Sequence, residues 1–186
     1  MTSALVATYP ELFCGAAIFA GMPFGAARDA VSAVKAMKSG KRQEPGHWGE
    51  KVRSISPQAS RFPPISVWQG MADRTVDAAN ADACVDQWLE ATGLQPALGK
   101  TVVKRWGTVK RWGKSGEPQV SFYSLTGFGH GLPVRQSKKN AAERDSYVLN
   151  AEISGPAELM RLWKLTSFKV SIASPAGVRG VRQGKG

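Results

Sequence analysis

The sequence has only two histidines, His47 and His130, and two cysteines, Cys14 and Cys84. With no C-x-x-C spacing among them they make no zinc site, and a centre built on His47 and His130 lacks further ligands at metal spacing. Both cysteines are expected as buried free thiols, since a bridge between positions so far apart cannot be read from sequence. No window approaches the eighteen or so apolar residues of a membrane span. Met1 is not followed by the basic segment and apolar stretch of a secretory signal. No metal or cofactor is expected.

Acidic side chains are also scarce, 14 against 25 basic ones, which leaves a net charge of +11. Such a surplus raises an anionic partner as a reading. It gathers in two places, Lys35, Lys38, Lys41 and Arg42, and Lys104, Arg105, Lys110, Arg111 and Lys114, with Trp106 and Trp112 interleaved in the second. Basic residues alternating with tryptophans suit a nucleic-acid-associated module. Against this, no helix-turn-helix, zinc finger or other binding motif accompanies them. A solvated face, with the tryptophans packed under a surface hairpin, explains the same residues.

The chain has 186 residues, 42% of them hydrophobic, enough for one domain with a sizeable core. "MTSALVATYPELF" has helical character at Ala4, Leu5 and Ala7 and is closed by Pro10. "CGAAIFAG" is a short apolar run between glycines, the mark of a strand covered on both faces. "ARDAVSAVKAMKSG" places Val31, Val34 and Met37 at helical spacing before the stop at Gly40, and "EPGHWGEKVRSISP" predicts a second short helix. "PPISVWQG" is another buried-type strand, followed by a helix, "DAANADACVDQWLEATGL", with Ala83, Gln87 and Trp88 near one face. "KTVVKRWG", "VKRWGKSG" and "PQVSFYSLTG" predict strands or a hairpin, and "GPAELMRLWKL" an amphipathic helix with Leu159, Leu162 and Trp163 inward. Residues 166–186 are glycine-rich, serine-rich and basic, and are expected as a flexible tail after a domain at 1–165.

Strands alternating with helices predict an α/β layer architecture, with chemistry at the carboxyl ends of the strands. Two loops stand there. "WQGMADRTV" carries Asp73 three residues after Gly70, with Val76 placed to anchor the loop. "GFGHG" carries His130 between small neighbours that leave the imidazole free to swing. Taken alone, Asp73 suits loop capping as well as catalysis. Taken with His130, it supplies an acid that orients a histidine and a histidine that acts as general base, in the chain order of an α/β-hydrolase.

The stretches "MTSALVATYPELF", "AIFAGMPFG", "WQGMADRTVDAANADACVDQW", "GFGHGLPV" and "ISGPAELMRLWKL" resemble the polyhydroxybutyrate depolymerase and feruloyl esterase group of α/β-hydrolases, over residues 1 to about 165. The resemblance implies a partial α/β-hydrolase fold with mostly parallel strands and flanking helices, an ester as substrate (polyhydroxyalkanoate, feruloyl or small acyl) and an extracellular setting. It matches Asp73 to the triad acid and His130 to the triad base. In that group the counterpart of "MTSALVATYPELF" follows the nucleophile elbow, so the serine and the oxyanion loop are expected to lack a counterpart here. The chain then looks like the C-terminal portion of such an enzyme and is expected to be inactive by itself. Ser3, the tempting substitute, falls within the helix after the turn. "CGAAIFAG", which would pair with the strand before the elbow, is expected as an exposed edge.

Overall fold

A computed structural model describes residues 1–40, 47–135 and 146–165. The expected tail and the basic pair Lys41 and Arg42 lie outside the described residues. Helix α1 (Thr2–Thr8) leads through a 3-10 turn (Pro10–Leu12) into strand β1 (Ala16–Phe19). Helices α2 (Ala30–Ser39) and α3 (His47–Ile55) follow, then β2 (Ile65–Gly70) and α4 (Ala79–Thr92). Strands β3 (Lys100–Lys104), β4 (Gly107–Lys114) and β5 (Glu117–Leu125) form a meander. The short strands β6 (Leu132–Val134) and β7 (Val148–Asn150) and helix α5 (Gly155–Leu162) complete the described chain.

The five-stranded sheet runs β1-β2-β5-β4-β3, and β6 and β7 pair separately. β1, β2 and β5 are mutually parallel, whereas β4 runs antiparallel to both β5 and β3. Four of the five strands therefore share one direction, as the mostly parallel reading expects. β1 is an edge strand among the described residues. All six residues of β2 are buried, because neighbours flank it on both sides and each sheet face is covered. Ile65 and Val67 point to one face, where they join Val6 and Ala7 of α1, Val52 of α3 and Trp88 and Leu89 of α4. Trp68 points to the other, stacked on Tyr123 at 3.8 Å between ring centroids and packed with Leu159 of α5. This two-residue alternation is the strand period at work, and each large side chain so buried stabilises the fold by about 1.5–3 kcal/mol.

The local signals are legible in the helix ends. Asp29 accepts from the Ser32 amide while Ser32 accepts back from Asp29, a reciprocal cap that starts α2. Gly93, at φ +69°, ends α4 in the left-handed region. The helical spacing of Val31, Val34 and Met37 does not mark the buried face of α2. Val31 is 81% exposed and Val34 is also exposed, while Ala36 is fully buried with Trp48 and Ala83. Close approach to α3 and α4 selects a small residue there, and spacing of large apolar residues misreads the face. Cys84 is a buried free thiol as expected, but Cys14 is exposed; it stands two residues before β1, in the turn rather than in the strand.

The second basic cluster is dispersed. Trp112 is buried and donates its indole N–H to the Pro96 carbonyl at 3.0 Å, and Trp106 stacks beside Tyr123. Arg111 is committed to Glu158 at 3.2 Å and to the Tyr123 hydroxyl at 3.1 Å, and Arg105 pairs with Glu152. The tryptophans are thus packing residues, and the nucleic-acid reading has no support. His47 opens α3, edge-on to Trp48. Among the described residues no group of three or more His, Cys, Asp or Glu could hold a metal, and no helix is long and apolar enough to cross a membrane.

Candidate active site

β2 and β5 run side by side in parallel and finish together, with Gly70 opposite Leu125. The pairing continues past the strand ends into the loops. The Met71 amide donates to the Leu125 carbonyl and the Ala72 amide to the Phe128 carbonyl, both at 2.9 Å. A side chain at position 70 would interfere, since a Cβ there would lie 2.3 Å from the Phe128 carbonyl oxygen and 2.5 Å from that of Gly129. Gly70 is therefore what lets the loop after β2 and the loop after β5 lie against each other.

That contact brings Asp73 and His130, 57 residues apart in sequence, into a hydrogen bond of 2.9 Å between His130 Nδ1 and Asp73 Oδ2. Because an ionised carboxylate can only accept, the proton of this bond sits on Nδ1 and leaves Nε2 with a free lone pair. The other oxygen, Asp73 Oδ1, accepts from the Thr75 amide at 2.7 Å and the Val76 amide at 2.9 Å. Loop capping and histidine orientation, alternatives in the sequence, are both performed here by one carboxylate. Val76 is buried and fixes the end of the loop.

The Asp73 side chain is 0% exposed and the His130 side chain 28%. Burial pushes the Asp73 carboxyl up, but the Val76 amide, the His130 ring and the Thr75 amide together outweigh it, so the group is held below its ordinary value of 3.8. The Tyr147 ring stands edge-on to the imidazole, 5.9 Å between centroids. A buried, ionised acid bonded to one nitrogen of a partly exposed imidazole can fix its tautomer, stabilise its protonated form and leave the second nitrogen to accept a proton.

Gln69 also belongs to the site and was missed in the sequence, where a glutamine inside an apolar strand carries no functional signal. Its Nε2 donates to Asp73 Oδ2 at 3.3 Å, to the Val76 carbonyl at 3.1 Å and to the Gly70 carbonyl at 3.2 Å. Ser3 is buried and donates its hydroxyl to the Met22 carbonyl at 2.8 Å. Among the described residues, no serine hydroxyl hydrogen-bonds the His130 ring. A cavity of about 210 Å³, lined by Ser66, Ser121, Cys14 and Trp163, lies toward the opposite end of the strands and includes neither Asp73 nor His130.

The chain is similar to known proteins in sequence and in fold. Residues 1–111 match the family model described as Esterase PHB depolymerase. Over 139 residues the chain is 38% identical to poly(3-hydroxyalkanoate) depolymerase C of Paucimonas lemoignei, which covers 72% of this chain and 33% of that protein. It is 29% identical to feruloyl esterase B of Talaromyces stipitatus, covering 72% and 39%, and 30% identical to an acetylxylan esterase of Coprinopsis cinerea, covering 72% and 37%. The chain thus spans between a third and two fifths of the length of these relatives. In structure it is similar to the acetyl xylan esterase from Aspergillus awamori, with a TM-score of 0.68 at 19% identity over 88% of this chain and 54% of that one. The likeness of fold bears out the α/β reading with a mostly parallel sheet and flanking helices, and the family match over more than half of the residues places the chain in the Esterase PHB depolymerase family.

Proposed function

We propose that this chain carries the acid and base of a carboxylic ester hydrolase, with Asp73 as the acid that orients and His130 as the general base. The single observation that carries the proposal is the 2.9 Å bond between His130 Nδ1 and a fully buried carboxylate. In the reaction, His130 Nε2 takes the proton of a hydroxyl as its oxygen attacks the ester carbonyl, and later returns it to the departing alkoxide. Asp73 keeps its charge and stabilises the imidazolium between the two steps. The substrates in the relatives' names, poly(3-hydroxyalkanoate), feruloyl ester and acetylxylan, share an acyl ester, which is the class we assign, with an extracellular setting as the place where such polymers are met.

The nucleophile and the two amide donors of an oxyanion hole have no counterpart in the proposed set. Ser3 is turned away, its hydroxyl spent on Met22. Because the acid and base act as a unit with the nucleophile, the 186-residue chain by itself is expected to hydrolyse p-nitrophenyl acetate and butyrate no faster than buffer. Saturable turnover that persists in Ser3→Ala and vanishes in His130→Ala would overturn the missing-nucleophile part and keep the base. Turnover indifferent to His130→Ala would overturn the assignment of the base.

A further inference from the structure

Gln69 is 1% exposed, in a strand whose other five residues are apolar, small or aromatic and equally buried. Burying an amide is costly unless its hydrogen bonds are made, and this one makes them on one end only. Nε2 faces the Gly70 carbonyl, the Val76 carbonyl and Asp73 Oδ2, whereas Oε1 is buried with no hydrogen-bond partner. Turning the amide over would set Oε1 against three acceptor oxygens, so the donor end is fixed toward the loop. A core residue chosen for packing alone would carry neither the polar atoms nor the orphaned oxygen.

We propose that Gln69 is a positioning residue, which holds Asp73 Oδ2 at the imidazole and thereby keeps the proton of neutral His130 on Nδ1. The inference rests on the reading of Asp73 and His130 as acid and base. Gln69 acts through two attachments. By bonding the Gly70 and Val76 carbonyls it ties together the two ends of the loop that carries Asp73. By bonding Oδ2 it adds a donor to the oxygen that the imidazole also uses, while the Thr75 and Val76 amides hold Oδ1. The carboxylate is then gripped at both oxygens and cannot rotate away from the ring. Donors on both oxygens also favour the ionised form, and only an ionised Asp73 acts purely as an acceptor toward Nδ1.

The test is nitrogen-15 NMR of the histidine rings in the full chain at about pH 8, above the ordinary histidine titration. There are two histidines, so His130→Gln assigns the spectrum and His47 serves as an internal reference. The unsubstituted chain is expected to show His130 mainly as the Nδ1–H tautomer. Gln69→Met, which keeps the volume and removes the donor, is expected to lose that majority toward the Nε2–H form that free imidazole favours, with His47 unchanged. Gln69→Asn keeps an amide but falls a methylene short of Asp73, and is expected to show the same loss. An Nε2–H majority in the unsubstituted chain would overturn the acid–base reading itself. An Nδ1–H majority surviving both substitutions in folded protein would overturn the role of Gln69 alone. Unfolding of both variants would make Gln69 a requirement of the core and would also overturn it.

Discussion

Gly70→Ala, at the end of β2, and Gly129→Ala, in the loop after β5, each add one methyl, yet only the first should be costly. A Cβ at position 70 meets the carbonyl oxygens of Phe128 and Gly129 at 2.3 and 2.5 Å, and both are backbone atoms that no side-chain rotation can move. The two loops must separate, at a cost typical of overpacking, about 1–3 kcal/mol. The hydrogen bond from the Ala72 amide to the Phe128 carbonyl is then stretched or lost, adding about 1 kcal/mol. Gly70→Ala is therefore expected to lose about 2–4 kcal/mol in urea unfolding followed by circular dichroism. At position 129 the nearest atom to an added Cβ is Leu149 Cδ1 at 3.8 Å, an ordinary contact, and the backbone is not in the left-handed region. Gly129→Ala should stay within about 0.5 kcal/mol of the parent, although it adjoins His130. Equal midpoints for the two variants would refute the claim that close backbone approach at Gly70 assembles the site.

Since Asp73 is held below its ordinary carboxyl value of 3.8 in the folded chain, its contribution to stability is fully present above that value and fades as pH falls through the lowered one. The stability gap between the parent and Asp73→Asn should therefore be widest near neutrality and close below about pH 4, as read by urea unfolding at successive pH values. A gap that widened on acidification would reverse the sign of the account. Val31→Ser, on the exposed face of α2, should change stability by less than about 0.5 kcal/mol, whereas Ala36→Val, at a site with no exposed surface, should cost about 1–3 kcal/mol by overpacking.

What could be read beforehand followed from local chemistry. "PPISVWQG" announces β2 because prolines and a glycine bound an apolar run too short for a helix, and Asp73 and His130 draw notice because each follows such a run. The contact between them was not local. It depends on β2 and β5 being neighbours, although α4, β3 and β4 lie between them in sequence, and on Gly70 allowing the loops to touch. Gln69 carries no local signal for a related reason, since a buried amide in a strand acquires meaning only when Asp73 folds back over it. The spacing of Val31, Val34 and Met37 does not reveal which face of α2 is buried, because Ala36 is buried for its small size, a property that apolar periodicity does not weigh. Cys14 was misplaced by two residues, the distance from the turn to the first residue of β1.

The claim that underlies the rest is that His130 and Asp73 form a working acid–base unit. Proton NMR of the His130 ring tests it most directly: the Nδ1-bound proton, shared with a buried carboxylate at 2.9 Å, should give a resonance far downfield that survives in the parent and in His47→Gln and disappears in Asp73→Asn. A His130 ring whose proton resonance is the same in the parent and in Asp73→Asn would contradict the account.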